Sequence, residues 1–166
     1  MDPRPLILTT LFQWSAKPYA ALHPERTPWE LSVDDLLAFP DGTVGRALGQ
    51  HLADRGFELM PRLESHDLWH LLTGVETDVV SEVSLQFLLL GNGKRSLYLA
   101  GVVALGGLAF PEAWGVFARA ARRGRDLPSF CHWPARELLD APLADVLLAL
   151  APSPSMGAQV LGSAYR

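Results

Sequence analysis

Two imidazoles and two carboxylates stand out by their spacing. His66-Asp67-Leu68-Trp69-His70 is followed twelve residues later by Glu82. On a helix turning about 100° per residue, His70 lies about 40° round from His66 and Asp67 about 100° round, so all three share one face. Two imidazoles one turn apart with a carboxylate beside them form a metal-binding pattern. In one unbroken helix Glu82 would stand about 18 Å further along, too far to share an ion. Gly74 can stop that helix and Thr77-Asp78 can start another. If the second helix runs antiparallel, Glu82 returns towards His70. Two neutral nitrogens and two anionic carboxylates would then neutralise a divalent ion, and such ligands suit zinc, iron or manganese. The same residues also suit a structural role, such as a buried His–Asp hydrogen bond, and acidic residues early in helices are common partners of the helix dipole. Spacing alone does not choose. The segment departs from the His-Glu-x-x-His pattern of zinc proteases, because Asp67 takes the second position and its shorter side chain suits ligation or orientation better than reaching a substrate.

The elements that must carry these groups read as helices. Ser32 with Asp35 opens one towards Leu36, Leu37 and Phe39, and Pro40-Asp41-Gly42 breaks it. Thr43 can cap a helix in which Val44, Leu48 and Leu52 recur every four residues, with Gly56 where a left-handed cap belongs. Pro61 can occupy the first turn of the helix bearing the two histidines. Thr77 or Asp78 starts the next, running to about Leu90. Gly91-Asn92-Gly93 is a turn, Leu97–Ala109 is helical, and Pro111 opens a helix through Ala121. Two short helical pieces, 136–140 and 143–150, follow a Pro-marked loop that holds Cys131 and His132. Alternating β-branched runs are nearly absent. The expectation is one all-α domain of about seven to nine helices over residues 1–151, with the metal motif at 66–82 and a loosely ordered tail at 152–166.

Composition narrows the functional classes. The chain has 166 residues, 49 % hydrophobic and 19 % charged, with net charge −4. That excludes a disordered chain, and without a basic excess nucleic acid is not the expected partner. Soluble domains average about 25 % charged residues, so the apolar surplus needs a destination: core, interface, ligand tunnel or membrane. The stretch 97–110 is uncharged but shorter than the about 20 residues a spanning helix needs. The N-terminal MDPRPLILTTLFQW lacks the pattern of a secretory or organelle leader. A single cysteine, Cys131, forms no internal disulfide and fits a reducing compartment.

The run HDLWHLLTGVETDVVSEV resembles the signature of the ubiquinone (coenzyme Q) biosynthesis protein 4 family, in which His-Asp-x-x-His-x(11)-Glu supplies the metal ligands. They match His66, Asp67, His70 and Glu82. Gly74, Thr77 and Asp78 match between them, and Gly42-Thr43-x-Gly45 matches upstream. Ala113-Trp114, Gly124-Arg125, Trp133, Pro142-Leu143 and Val146 match downstream, so the resemblance covers roughly residues 37–150. There are departures. Arg62 stands alone where the family usually has paired basic residues, although Glu64 is retained. Leu127 replaces a basic residue, and Leu147 replaces an arginine that often follows the valine. These losses bear on contacts to an anionic substrate and mark a divergent bacterial relative.

The resemblance implies an all-helical protein that binds a metal and a polyprenylated compound. It implies a metal-dependent lyase removing the carboxylate at ring carbon 1 of a polyprenyl-hydroxybenzoate by oxidative decarboxylation. The alternative it leaves is a non-catalytic, prenyl-lipid-binding scaffold of a quinone-biosynthesis complex. The ion would bind and polarise the ring carboxylate, with zinc expected first and iron, manganese or magnesium as alternatives. Expected partners are a polyprenylated quinone precursor or other isoprenoid lipid, other quinone-biosynthesis proteins, and a membrane surface. The expected location is cytoplasmic, peripheral to the inner face of the cell membrane, with a homodimer as a further option. Phe87, Leu90, Leu97 and Val103 are candidates to line a groove for the tail, core packing being their ordinary role. Arg122 and Arg125 are candidates for an anionic headgroup, beside the ordinary role of cations at a helix C-terminus. His51 and His23 read as structural or exposed, and Cys131-His132 lacks the partner a nucleophile pair needs.

Overall fold

The computed structural model describes residues 27–152. They form an all-α domain, and among the described residues the sole β feature is an isolated bridge between Thr43 and Pro142. The expected tail and the N-terminal stretch with His23 lie outside the described residues.

Caps open most of the helices. Helix α1 (Val33–Leu37) begins at Ser32, whose hydroxyl accepts the Asp35 N–H while the Asp35 carboxylate accepts the Ser32 N–H. Helix α2 (Val44–Ala53) begins at Thr43, which accepts the Arg46 N–H, and buries Val44, Leu48 and Leu52. Helix α3 (Glu64–Thr73) carries the two histidines and ends on Gly74 at φ 64°, a left-handed cap. Helix α4 (Val79–Gly91) starts one short turn later at Asp78, whose carboxylate accepts from the Val80 and Ser81 N–H groups. Helix α5 (Leu97–Ala109) starts at Ser96, and a 3-10 turn at Pro111–Ala113 leads into α6 (Trp114–Asp126). Two further 3-10 turns, Phe130–His132 and Glu137–Asp140, precede α7 (Leu143–Leu150).

Three boundaries differ from expectation. Pro61 lies in a turn ahead of α3, because Arg62 at φ 70° is left-handed and cannot continue a right-handed helix. Helix α6 runs past Ala121 to Asp126. The piece expected at 136–140 is a 3-10 turn at Glu137–Asp140.

Two apolar clusters hold the helices. The larger joins α1, α2, α3, α4 and α7 through Leu36, Leu48, Leu68, Leu89 and Val146. The smaller joins α4, α5 and α6 through Val83, Phe87, Phe110 and Phe117, where Phe87 stacks on Phe117 at 4.8 Å. Helices α4 and α6 cross almost backbone to backbone. A Cβ on Gly91 would collide with the Ala121 carbonyl, and one on Gly124 with the Leu88 carbonyl. Just beyond, the buried Asn92 side chain donates to the Gly124 and Pro128 carbonyls at 2.9 and 2.8 Å and accepts the Cys131 N–H at 3.0 Å. Arg123 reaches back from α6 to the Thr73 carbonyl at the end of α3, 2.7 Å away.

Gly124→Ala is expected to cost about 2–3 kcal/mol in urea unfolding, because neither backbone can yield to the added methyl. Gly115→Ala on the same helix meets only the tip of Arg119 and is expected to gain about 0.5–1 kcal/mol from helix propensity.

Candidate metal centre

The α3–α4 reversal brings Glu82 back onto the histidine face. His66 Nε2 lies 3.0 Å from one Glu82 oxygen, His70 Nε2 lies 3.1 Å from the other, and the two Nε2 atoms are 3.2 Å apart. Two ligands each 2.0–2.1 Å from one ion stand about 2.8–3.4 Å apart between octahedral and tetrahedral angles. The observed spacings fall in that range, so His66, His70 and Glu82 can hold a metal ion. The two rings are edge to face, with centroids 4.7 Å apart.

The backbone sets one ring. His70 Nδ1 is 2.8 Å from the Val75 carbonyl. A carbonyl only accepts, so Nδ1 carries the proton and Nε2 is turned towards Glu82 and His66. This is the outer contact that orients a metal-binding imidazole, and Gly74 makes it possible by reversing the chain within one residue of Val75.

Charges in the site are strongly coupled. Burial alone would raise the Glu82 carboxyl, but hydrogen bonds and charge from His66 and His70 hold it down to about 2. Burial pulls His66 below the usual imidazole range against the pull of Glu82. Burial also opposes charge on His70, yet Glu82, the Val75 carbonyl and Asp67 together raise it.

Asp67 stands outside the three-ligand group, but one of its oxygens, Oδ2, is buried with no hydrogen-bond partner. Burial first, and then the charges of Glu82 and Glu64, push its carboxyl up to about 7 against the pull of His70. A buried, unpartnered carboxylate oxygen costs free energy unless a cation or donor meets it. That orphan and the three converging ligands fit a divalent ion. Of the four expected ligands, the structure gathers His66, His70 and Glu82 and places Asp67 beside them in this unsatisfied state.

The other candidates are spread apart. Phe87 is interior to the smaller cluster and Val103 packs against it, while Leu90 is half-buried and Leu97 is 94 % exposed. These four do not share one wall. Arg122 lines an open groove of about 530 Å³ with Arg119, Arg123, Leu127, Leu147 and Leu150, and Arg125 is not among its lining residues. His51 Nδ1 accepts a hydrogen bond from the Arg55 guanidinium at 3.1 Å, and His132 is exposed. Two contributors escaped the motif reading. One is the Val75 carbonyl, which no side-chain pattern announces. The other is Glu64, buried at the start of α3, which accepts the Trp29 N–H at 3.0 Å. Its retention in the family resemblance is the signal that could have found it.

No protein-family model and no curated protein matches the sequence. Among solved structures, the chain is similar to a protein of Nostoc punctiforme provisionally named a ubiquinone biosynthesis protein. The TM-score is 0.58 at 20 % identity, over 83 % of this chain and 79 % of that one. The two proteins share the all-α fold.

The raised Asp67 makes a signed prediction for the metal-free protein. Its folded pKa of about 7 lies above the ordinary 3.8, so the folded state binds more protons and Asp67 removes stability as pH rises between those values. Asp67→Asn is therefore expected to stabilise the chelator-treated protein by about 2–4 kcal/mol at pH 8, with the difference vanishing below about pH 4. Denaturant unfolding at the two pH values measures it. Glu82 acts oppositely: with its folded pKa at about 2 against 4.5, its contribution is present above pH 4.5 and fades as pH falls towards 2.

Proposed function

We propose that the protein is a divalent-metal-dependent enzyme of prenylquinone biosynthesis that decarboxylates a polyprenyl-hydroxybenzoate at ring carbon 1. The observation that carries the metal dependence is the convergence of His66, His70 and Glu82 on one point beside the unsatisfied Asp67 oxygen. The substrate class rests on the family resemblance of the motif and on the name given to the similar Nostoc protein.

His66, His70 and Glu82 would hold a divalent ion, which would supply a Lewis acid for a ring carboxylate. The residues of this chain do the rest. His70 is locked by the Val75 carbonyl, so its Nε2 keeps one direction. Glu82 spans both imidazoles with its two oxygens and keeps its negative charge across the physiological range. Asp67 sets its unpartnered Oδ2 beside the three ligands, where it could face the ion or orient a group bound to it. The prenyl tail would lie along apolar helix surface outside the polar centre.

Protein purified without chelator is expected to contain about one divalent ion per chain, with N/O ligands compatible with zinc, iron or manganese. His70→Ala should lower that content at least tenfold while leaving far-UV circular dichroism unchanged. Wild-type protein should release labelled carbon dioxide from carboxyl-labelled polyprenyl-hydroxybenzoate, and Glu82→Gln should release at least 100-fold less. Metal-free wild-type protein sinks the metal reading. Bound metal without carbon dioxide release, and with growth rescued by Glu82→Gln, assigns the scaffold role instead.

A further inference from the structure

One face of α6 is a row of cations. The chain carries a net charge of −4, yet residues 119–125 hold four arginines and no acidic residue. Three of them, Arg119, Arg122 and Arg123, stand at i, i+3 and i+4 and line the groove of about 530 Å³ that α6 shares with α7. Arg123 is fixed there by its hydrogen bond to the Thr73 carbonyl at 2.7 Å. Arg119 and Arg122 are exposed, and among the described residues no carboxylate pairs with either, Asp126 of the same lining included. The rest of the lining is apolar, chiefly Leu127, Leu147 and Leu150, with Leu147 42 % exposed. Leu72, where α3 reaches the groove, lies about 200° round that helix from His70, so groove and metal ligands occupy opposite sides of α3.

We propose that this groove docks an amphipathic helix of a partner protein, one with carboxylates along one edge and leucine-type side chains along its face. Carboxylates at i, i+3 and i+4 repeat the spacing of the arginines, while the apolar residues of such a helix cover Leu127, Leu147 and Leu150. Cations left unpaired within the chain are the groups a partner's carboxylates pair with, and they steer its approach. A phosphate headgroup fits this lining less well. It needs one or two cations, whereas three are spread over about 6 Å of α6. Asp126 would also repel a dianion placed beside them. A partner helix meets Asp126 with a neutral or basic residue, and that choice fixes its register. The chain's own flanks do not supply such a helix. Residues 153–166 contain no acidic residue, and residues 1–26 contain only Asp2 and Glu25, too far apart in sequence for the required spacing. The groove is separate from the metal centre, so the docking does not depend on the reaction proposed there.

Fluorescence anisotropy with the full chain tests it, using a labelled model helix of about sixteen residues. The probe carries glutamates at i, i+3 and i+4 along one edge and leucines along its face. It should bind with Kd on the order of 10 µM at low salt, and about tenfold more weakly once salt screens the pairs. The double variant Arg119→Glu/Arg122→Glu should weaken binding at least tenfold, as should Leu147→Asp on the apolar side. A probe with lysines in place of the glutamates should bind the double variant and not the wild type, which a general loss of folding would not produce. Arg125→Glu, outside the lining, should change binding less than about twofold. Absence of binding at 1 mM protein overturns the proposal. So does binding that the double variant leaves unchanged, or equal binding of a probe with glutamines for glutamates. Wild-type protein that ignores the probe but floats with phosphatidylglycerol vesicles, and loses that property in the double variant, also overturns it and gives the groove to a headgroup.

Discussion

The structure turns on one reversal of the chain, the few residues from Gly74 to Asp78 that bring Glu82 against His66 and His70. A carboxylate held at about 3 Å from two imidazoles in a largely buried place is costly to desolvate and is kept only where partners are fixed around it. The chain fixes them by local means. Gly74 takes a backbone conformation that costs other residues more, and Asp78 satisfies the first free N–H groups of α4. The Val75 carbonyl, inside the reversal itself, orients His70. The loop therefore positions one ligand directly while returning another. The reach of Arg123 to Thr73, at the edge of the reversal, and the glycine-mediated crossing of α4 on α6 at its other end hold both arms in place.

The local charges oppose one another in a way that suits a cation. Glu82 is content with two imidazoles, but two imidazoles cannot both stay neutral and both donate to it when His70 has its Nδ1 proton on a carbonyl. Charge on His70 is favoured by Glu82 and the Val75 carbonyl against its burial, and Asp67 is left with an unmet oxygen. A divalent ion would give the imidazoles and carboxylates a common partner. The residue least satisfied in the metal-free fold is one that an ion would satisfy.

Most of the helices were legible because their caps are local. Ser32 with Asp35, Thr43, Gly74 and Asp78 all do what their side chains or φ values demand, and the return of Glu82 followed from a stop and a start lying between it and His70. The start of α3 was misjudged because Pro61 suits a first turn, yet Arg62 adopts a left-handed conformation that no residue type at that position announces. The C-terminal extent of α6 was missed because a run of arginines has no apolar phase to mark an end. The candidate prenyl-groove residues scattered for the same reason. Sequence shows that 87–90 and 97–103 are apolar, but a helix apolar on all sides has no phase that tells its inner face from its outer one.

That ambiguity governs the apolar surplus of the whole chain. Helix α4 is also rich in apolar residues, yet its flank from Val83 to Leu89 is buried because α3, α5 and α6 or their clusters surround it. Helix α5 has the same composition and lies at the edge, so three of its leucines face outward. No single helix among the described residues is long and apolar enough to cross a membrane, and the bend of 104° between α5 and the segment after it interrupts the one pair that approaches the length. The core does not account for the outward-facing part of α5. Leu97, Leu105 and Leu108 are 94 %, 60 % and 79 % exposed, so this part of the surplus lies on the surface of the domain. The metal centre and the outer face of α5 are joined through α4, which carries Glu82 at its first turn and packs Val83, the next residue, against Gly106 of α5. One peptide bond separates the ligand from the residue that seats α5, so the packing that sets the outer face of the protein also sets the position of Glu82.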